Sequence, residues 1–518
     1  MSASYDHIII GAGHNGLVCA ALLARRGRSV LVLEAANEVG GMAVTREFAP
    51  GFKVSACAHF LDALPKALID SLALETHGLR FAARDLATCA LNLDGAPVIL
   101  AKGKVDGVSV EDQNAYTRFR ARMSRFTRVM GEAMEMEPFD VSLPSWRERS
   151  AALKLGWKLR TLGQRDMREF MRIVGMNAYD LLTETFDSTL LRGALALDAS
   201  LGAEYAARSP GTVLTLLYRL ANEERAGLSG AAQPLGGLGA VTAALAAAAR
   251  AAGADIRTGA RVARISVQGD RATGVVLESG ETITAGSVIS NADPKTTFLK
   301  LLGPEHLDTD FVRRIDHFRA RGLVAKLHLA LDALPSFRGV DAITQAGRLL
   351  ISPSMDYLEL AYNPSKYREI PDKPALEISL PSINDPDLAP KGQHVLSANV
   401  LFVPYDLGPD PTEARSRLMH NVLATLEAYA PGIGQHILFG ELRTPLDLER
   451  EFNVSGGHWH HGALAFDQFF FTRPVPQAAK YATPLPGLYL CGAGSHPGGG
   501  VAGVAGQNAA RKVLEGES

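Results

Sequence analysis

Cysteine is scarce in this chain of 518 residues: there are four, Cys19, Cys57, Cys89 and Cys491, far apart in sequence. None stands in a C-x-x-C pair or at a zinc spacing, so the sequence carries neither a metal knuckle nor a thioredoxin-type dithiol and reads as a cytosolic protein with reduced thiols. Long apolar runs are also missing. The most apolar stretch, Ala240 to Ala249, breaks at Arg250, short of the ~18 uncharged residues that suggest a spanning helix. A membrane is therefore expected to be touched at its surface and not crossed. The first strand is expected by Asp6, which leaves no room for a secretory signal. Net charge is small as well, formally -2, and gives no field that would gather nucleic acid. What the chain does have, 47% apolar and 21% charged residues, is the composition of a globular protein of two or three units.

Near the start, the apolar run His7 to Ile10 ends in Gly11-Ala12-Gly13-His14-Asn15-Gly16 and continues into the helical pattern Leu17 to Arg26, which stops at Gly27. Gly11 permits the turn, Gly13 lets backbone approach a pyrophosphate, and Gly16 lets helix pack on strand. A second apolar run, Ser29 to Leu33, ends in Glu34, at the spacing of an acid that holds a ribose and repels a 2′-phosphate. A complete strand–turn–helix–strand–acid unit is the context in which this glycine pattern signals a dinucleotide site, although the same glycines alone would make a bare turn.

The run after Glu34, with Gly40-Gly41, resembles FAD-binding Rossmann oxidoreductases more than nicotinamide dehydrogenases. The arginine usual after that pair is replaced by Met42, and Thr45 and Arg46 are expected to stand in for it. At the other end, Pro486 to Gly494 reads as a strand entering a glycine turn through Gly492. Gly498-Gly499-Gly500-Val501 then supplies amides able to close over a pyrophosphate or the flavin's pyrimidine edge, with a loose glycine loop as the plainer alternative. Between the ends, Gln233 to Gly239 opens an alanine-rich helix, followed by strand patterns at 255–258, 261–267 and 273–277 and an apolar strand Ser287 to Asn291. No second strand–glycine–helix–acid unit occurs, so a dedicated NAD(P)H domain is not expected. The electron acceptor is then oxygen, a quinone or another carrier.

The fold class expected is α/β: a discontinuous Rossmann-type FAD-binding domain at 1–110, 231–295 and 471–518. Into it are inserted a helical segment, 111–230, and an α+β substrate domain, 296–470. Pockets favour such domain interfaces. The helical insert is locally basic, with Arg118, Arg120, Arg122, Arg125, Arg128, Lys154, Lys158, Arg160, Arg165, Arg168 and Arg172 among Trp146, Trp157 and apolar residues. It reads either as a surface for anionic lipid or as a solvated face paired with Glu132, Glu135 and Glu137. The run His458-Trp459-His460-His461 reads as a pocket wall with His461 as a proton relay, as structural packing, or, less well, as a metal site, since no carboxylate or cysteine accompanies it; no metal is expected.

Taken together, these motifs resemble the phytoene desaturase-related flavoproteins, closest to the pyridine nucleotide-disulfide oxidoreductase domain-containing protein 2 branch. The residues that carry the resemblance are Gly11 to Glu34, Gly40-Gly41 with Pro50-Gly51-Phe52, Ser290 to Pro294, His461-Gly462 to Gln468, and Leu490 to Gly500. The resemblance implies FAD as sole redox cofactor, an apolar substrate and peripheral membrane contact. The branch name promises disulfide chemistry, for which no cysteine pair is expected near either glycine turn. By resemblance to the flavin family Val262 pairs its backbone with the adenine, and by resemblance to flavin amine oxidases Lys326 holds a water near the flavin N5. On Arg321 to Leu331, period two places Lys326 on one face with Val324, His328 and Ala330. The activity implied is dehydrogenation of an apolar or lipid-like molecule by hydride transfer to flavin N5. A redox-neutral isomerase or saturase, an amine oxidase with an aromatic pair drawn from Phe469, Phe470 and Tyr481, and a non-enzymatic FAD-binding protein are the alternatives.

Overall fold

The computed structural model describes residues 4–140, 142 and 144–516. Two sheets organise it. In the first, Ser4–Ile10 lies between Val30–Leu33 and Thr282–Ser290, parallel to both, and Asp255–Arg257 extends the parallel edge. Thr282–Ser290 is shared along its length: its first half pairs antiparallel with Arg271–Leu277, and its end pairs parallel with Leu488–Leu490. The hairpin closes with Val262–Gln268. Ile8, Ile9, Val30 and Val32 are at most 1% exposed, as expected of β-branched residues in a parallel sheet covered on both faces. The helix His14–Ala24 that follows the first strand is buried on nearly all sides. It packs against Leu238–Ala251 and Val504–Glu515, and the small alanines of the former allow close approach.

Three sequence segments therefore complete one core, and the pieces meet where the glycines are. Cys19 and Cys491, distant in sequence, are both fully buried in the same core, side by side. This corrects the expectation that no cysteine pair lies near the glycine turns. Burial pushes the Cys491 thiol well above its usual range, so it stays protonated, and both side chains pack as small apolar groups.

The second sheet runs Ile437–Arg443, Val324–Leu331, His394–Leu401, Leu376–Ser379, Arg348–Ile351, Thr88–Ala90, Val98–Ala101, Lys104–Asp106. Its last three strands come from residues 88–106 and join through a parallel pairing of Thr88–Ala90 with Arg348–Ile351. Within the segment 1–110 the chain thus enters the second sheet at Thr88: the three short strands pair with one another as local hairpins and are tied to the rest of the sheet only through the distant Arg348–Ile351. The helices between Val110 and Arg225 cover this sheet's far end with a continuous apolar core that includes Phe126, Leu191, Leu217 and Leu350.

Candidate active site

One cavity runs from the first glycine turn into the wall supplied by the inserted segments. At its outer end are Glu34, Ala35, Arg261 and Val262; in the middle are Gly11, Gly13, His14, Gly40, Gly41, Gly500 and Val501; at the inner end are His59, Phe60, Asp62, Tyr218, Arg219, Asn222, Glu377 and Asn399. The turn leaves no room for side chains. A Cβ on Gly13 would lie 2.8 Å from Asn291 Nδ2, and one on Gly16 would lie 2.3 Å from the Gly11 carbonyl oxygen. Gly13 caps the helix without a side-chain hydrogen bond, so the first N–H groups remain directed toward an anion. The Glu34 carboxylate accepts from the Ala12 N–H (2.7 Å) and the Ala36 N–H (2.9 Å), which fixes it at the cavity edge.

Of the residues expected from sequence to hold a cofactor, Gly11, Gly13, Glu34, Gly41, Val262, Gly500 and Val501 line this cavity. Gly16 and Gly492 stand behind it, and their lack of a side chain serves packing: a Cβ on Gly492 would meet the Asn291 carbonyl at 2.6 Å. Thr45 and Arg46 do not stand in for the missing arginine. The Thr45 hydroxyl accepts from the Gly239 N–H, and Arg46 is paired with Glu441 and Glu451. Buried polar atoms without a protein partner include His14 Nε2, His460 Nδ1 and His461 Nδ1, all of residues that line the cavity. The bare turn, the free helix amides and these orphaned nitrogens fit FAD. It would lie with its ribose at Glu34, its adenine beside Val262 and its pyrophosphate at Gly11, Gly13 and Gly500.

His461 reaches the wall through a backbone turn at φ +55°, and burial holds its imidazole below its usual range. The loop carrying it is clamped by Arg473, which sequence reasoning missed. This fully buried guanidinium donates to the carbonyls of His460, Gly462, Ala463, Gln468 and Ala493, at 2.9 to 3.2 Å, tying the histidine loop to the second glycine junction. Lys326 is also buried, but it lies one layer behind the wall. Its Nζ is 2.9 Å from His59 Nδ1 and 3.0 Å from Asn399 Oδ1, and burial lowers its pKa to about 7. His59 and Asn399, not Lys326, face the cavity. Nor do Phe469, Phe470 and Tyr481 form an aromatic cage. Tyr481 is wholly buried, donating to the His496 carbonyl, while Phe60, Tyr218, Phe452 and Trp459 supply the rings of the wall.

The inner end holds a chain of charges that no local pattern announces. Asp62 Oδ2 pairs with Arg219 Nη1 (3.0 Å), Arg219 Nε with Asp198 Oδ1 (3.2 Å), the same oxygen with Arg348 Nη2 (2.6 Å), and Arg348 Nε with Glu377 Oε1 (2.5 Å). Asn399 Nδ2 donates to Glu377 Oε2 at 2.6 Å. Burial alone would raise Glu377, yet the Arg348 guanidinium and His59 hold it well below the usual carboxylate range. At Asp62 burial outweighs the Arg219 guanidinium and raises the carboxyl. The wall's thiol, Cys57, is pushed up to about 12 by burial and offers no thiolate for nucleophilic attack.

Comparison with known proteins matches this arrangement. The family model for flavin-containing amine oxidoreductase covers residues 16–514. Pyridine nucleotide-disulfide oxidoreductase domain-containing protein 2 of Mus musculus is 34% identical, over 99% of this chain and 94% of that protein. A lycopene-forming phytoene desaturase of a Paracoccus species is 26% identical, over 97% of this chain and 96% of its own. Among solved structures, an oxidoreductase of Methanosarcina mazei superposes with a TM-score of 0.61 at 18% identity, covering 99% of this chain and 100% of its own, a likeness of fold. The chain belongs to the flavin-containing amine oxidoreductase family and is an FAD-dependent oxidoreductase.

Proposed function

We propose that the protein dehydrogenates a largely apolar, lipid-like molecule, removing a hydride and a proton from a CH–CH unit to leave C=C. The observation that supports this reading is the continuity of the cavity: the glycine cradle opens directly into a chamber whose wall includes Phe60, Leu201, Trp459 and Leu464. Bound FAD supplies the hydride acceptor at N5. The chain's own residues cradle the cofactor at Gly11, Gly13, Glu34 and Gly500, exclude water with the aromatic wall, and leave His461, held by the Arg473 clamp, as the relay for the proton. Lys326 is kept behind His59, where it sets that ring's orientation. Reoxidation is by oxygen, a quinone or another carrier.

Peripheral membrane contact belongs to the same reading. On the helix Trp146–Thr161, Trp146, Leu153 and Trp157 are 76%, 66% and 67% exposed. They fall within a narrow arc at 100° per residue, with Lys154 and Arg160 beside them, which is the pattern of a helix lying in an interface. Elsewhere the basic insert is largely neutralised, with Arg120, Arg125, Arg128, Lys158 and Arg172 in ion pairs. No helix of the described residues is long and apolar enough to cross a membrane.

A second reading, oxidation of an amine, is favoured by the carboxylates Asp62 and Glu377 in the wall. The test is anaerobic: the FAD-loaded protein is mixed with a lipid extract or with a set of amines while flavin absorbance is followed. Bleaching by the lipid fraction supports the dehydrogenase; bleaching by amines alone replaces it with the oxidase.

A further inference from the structure

A chain of ion pairs runs along the inner wall of the cavity. Asp62, Arg219, Asp198, Arg348 and Glu377 alternate in sign along it, a carboxylate at each end. Both end members, Asp62 and Glu377, line the cavity. Their states differ. Glu377 is 5% exposed in its side chain, with one oxygen taken by Arg348 and the other by Asn399. Asp62 is 25% exposed and lines the cavity, and among the described residues it is paired through Oδ2 alone.

A second acceptor stands beside it. Thr215, Tyr218, Arg219 and Asn222 all line the cavity from the helix Thr212–Arg225, at spacings that put them on one face. The Tyr218 hydroxyl is committed to the Gly499 carbonyl at 2.6 Å, and Asn222 Oδ1 is left as an acceptor. Asn222 is 4% exposed and its Oδ1 has no partner. An unmet buried acceptor keeps its desolvation cost uncompensated, and a carboxylate in the same wall makes a donor there stronger than a neutral pair would.

From this juxtaposition we infer that the substrate, although largely apolar, carries one hydrogen-bond-donating head group, an O–H or an N–H, which seats on Asp62 and Asn222 Oδ1. A pure hydrocarbon would leave both acceptors desolvated and unpaired, and a carboxylate would set acceptor oxygens against acceptor oxygens. The ionic chain has a definite part in this: Arg219 holds Asp62 in place, and the remaining members keep Arg219 from being neutralised by Asp62 alone. The inference rests on the dehydrogenase reading for the identity of the cavity, but it concerns binding and is tested by binding.

The experiment uses the FAD-loaded protein and four probes of one chain length: octane, 1-octanol, octylamine and octanoic acid. Binding is read from the perturbation of flavin absorbance, without turnover, for the natural protein and for Asp62→Asn, Asn222→Leu and Asp62→Glu. The expected result is that octanol or octylamine binds more tightly than octane and octanoate. Asp62→Asn should weaken that binding about tenfold, Asn222→Leu should weaken it as well, and Asp62→Glu should restore part of it. Octylamine alone binding identifies an N–H head group; octanol binding equally shows that O–H suffices. The inference is overturned by octane or octanoate binding as tightly as the donors, by a preference that survives Asp62→Asn, or by Asp62→Asn losing FAD itself, which would place Asp62 against the cofactor. A protein that shows the donor preference but whose flavin no lipid or amine ever reduces sinks the proposed activity and leaves this inference standing.

Discussion

At the level of single residues, Glu34 and Lys326 carry opposite lessons. Glu34 was legible because its spacing from Gly11 is local, and the structure adds that its carboxylate is held by the Ala12 and Ala36 amides. Glu34→Ala removes charge-assisted bonds of about 1.5–3 kcal/mol each from the turn as well as the ribose contact, so FAD affinity should fall at least about tenfold, measured by titrating apoprotein with FAD; unchanged affinity would exclude Glu34 from the site. The type of residue at 326 was legible, but its depth was not, because period two along a strand says which face a side chain takes and nothing of what is packed over it. Burial lowers Lys326 from 10.5 to about 7. Between those values the unfolded chain binds a proton that the folded one does not. Stability therefore climbs as pH rises from about 7 toward 10.5, and the full penalty is felt below 7. Lys326→Met removes that slope, up to about 1.4 kcal/mol per pH unit. Urea unfolding at pH 6.5, 8 and 9.5 should show the natural protein gaining on the variant at each step, and parallel curves would contradict a buried, neutralised lysine.

Elements, in contrast, divide by how far their partners lie in sequence. The first strand, its helix and the hairpin at 262–277 follow from periodicity and turn residues within a few tens of positions, and they are found where expected. Strands Thr88–Ala90 and Val98–Ala101 pair with each other locally, but they belong to the other sheet because Arg348–Ile351 pairs with Thr88–Ala90, a register that no nearby residue encodes. The same holds for the ionic chain, whose five members lie at 62, 198, 219, 348 and 377 on five separate segments. Arg348, 1% exposed, is its hinge: Arg348→Leu leaves Asp198 and Glu377 short of a partner in the interior and should cost about 3–5 kcal/mol, read as a lowered urea midpoint with FAD-binding residues untouched. The helix Trp146–Thr161 presents the reverse case, an element whose outward stripe is apolar. Replacing Trp146 and Trp157 together by alanine removes no internal contact that the core depends on, so stability should hold. Sedimentation with phosphatidylserine-containing vesicles should drop about tenfold, while equal sedimentation of both proteins would return this helix to the status of a solvated face.

Across the whole molecule, the three cofactor-side segments are held together by a core distinct from that of the second sheet. Leu17, Leu23, Leu245, Cys491 and Val513 cluster around the fingerprint helix, whereas Leu327, Leu349, Leu376, Leu396 and Leu426 form a separate core. The cavity is lined by residues of all three cofactor-side pieces: Gly11 and Glu34, Val262 and Asn291, Gly500 and Val501. FAD bound there would add a tie across segments that already share one hydrogen-bonded sheet. A ligand that binds only the folded form stabilises it by about 2.7 kcal/mol when its free concentration is about 100-fold above the dissociation constant. Because the second sheet keeps its own apolar core without the cofactor, that stabilisation should fall unequally. Calorimetry of the FAD-free protein should resolve two transitions, the lower one from the cofactor-side core, and added FAD should raise the lower transition toward the upper while the upper stays in place. If FAD moves both transitions together, the two cores unfold as one cooperative unit, and the division drawn from their separate packing is wrong.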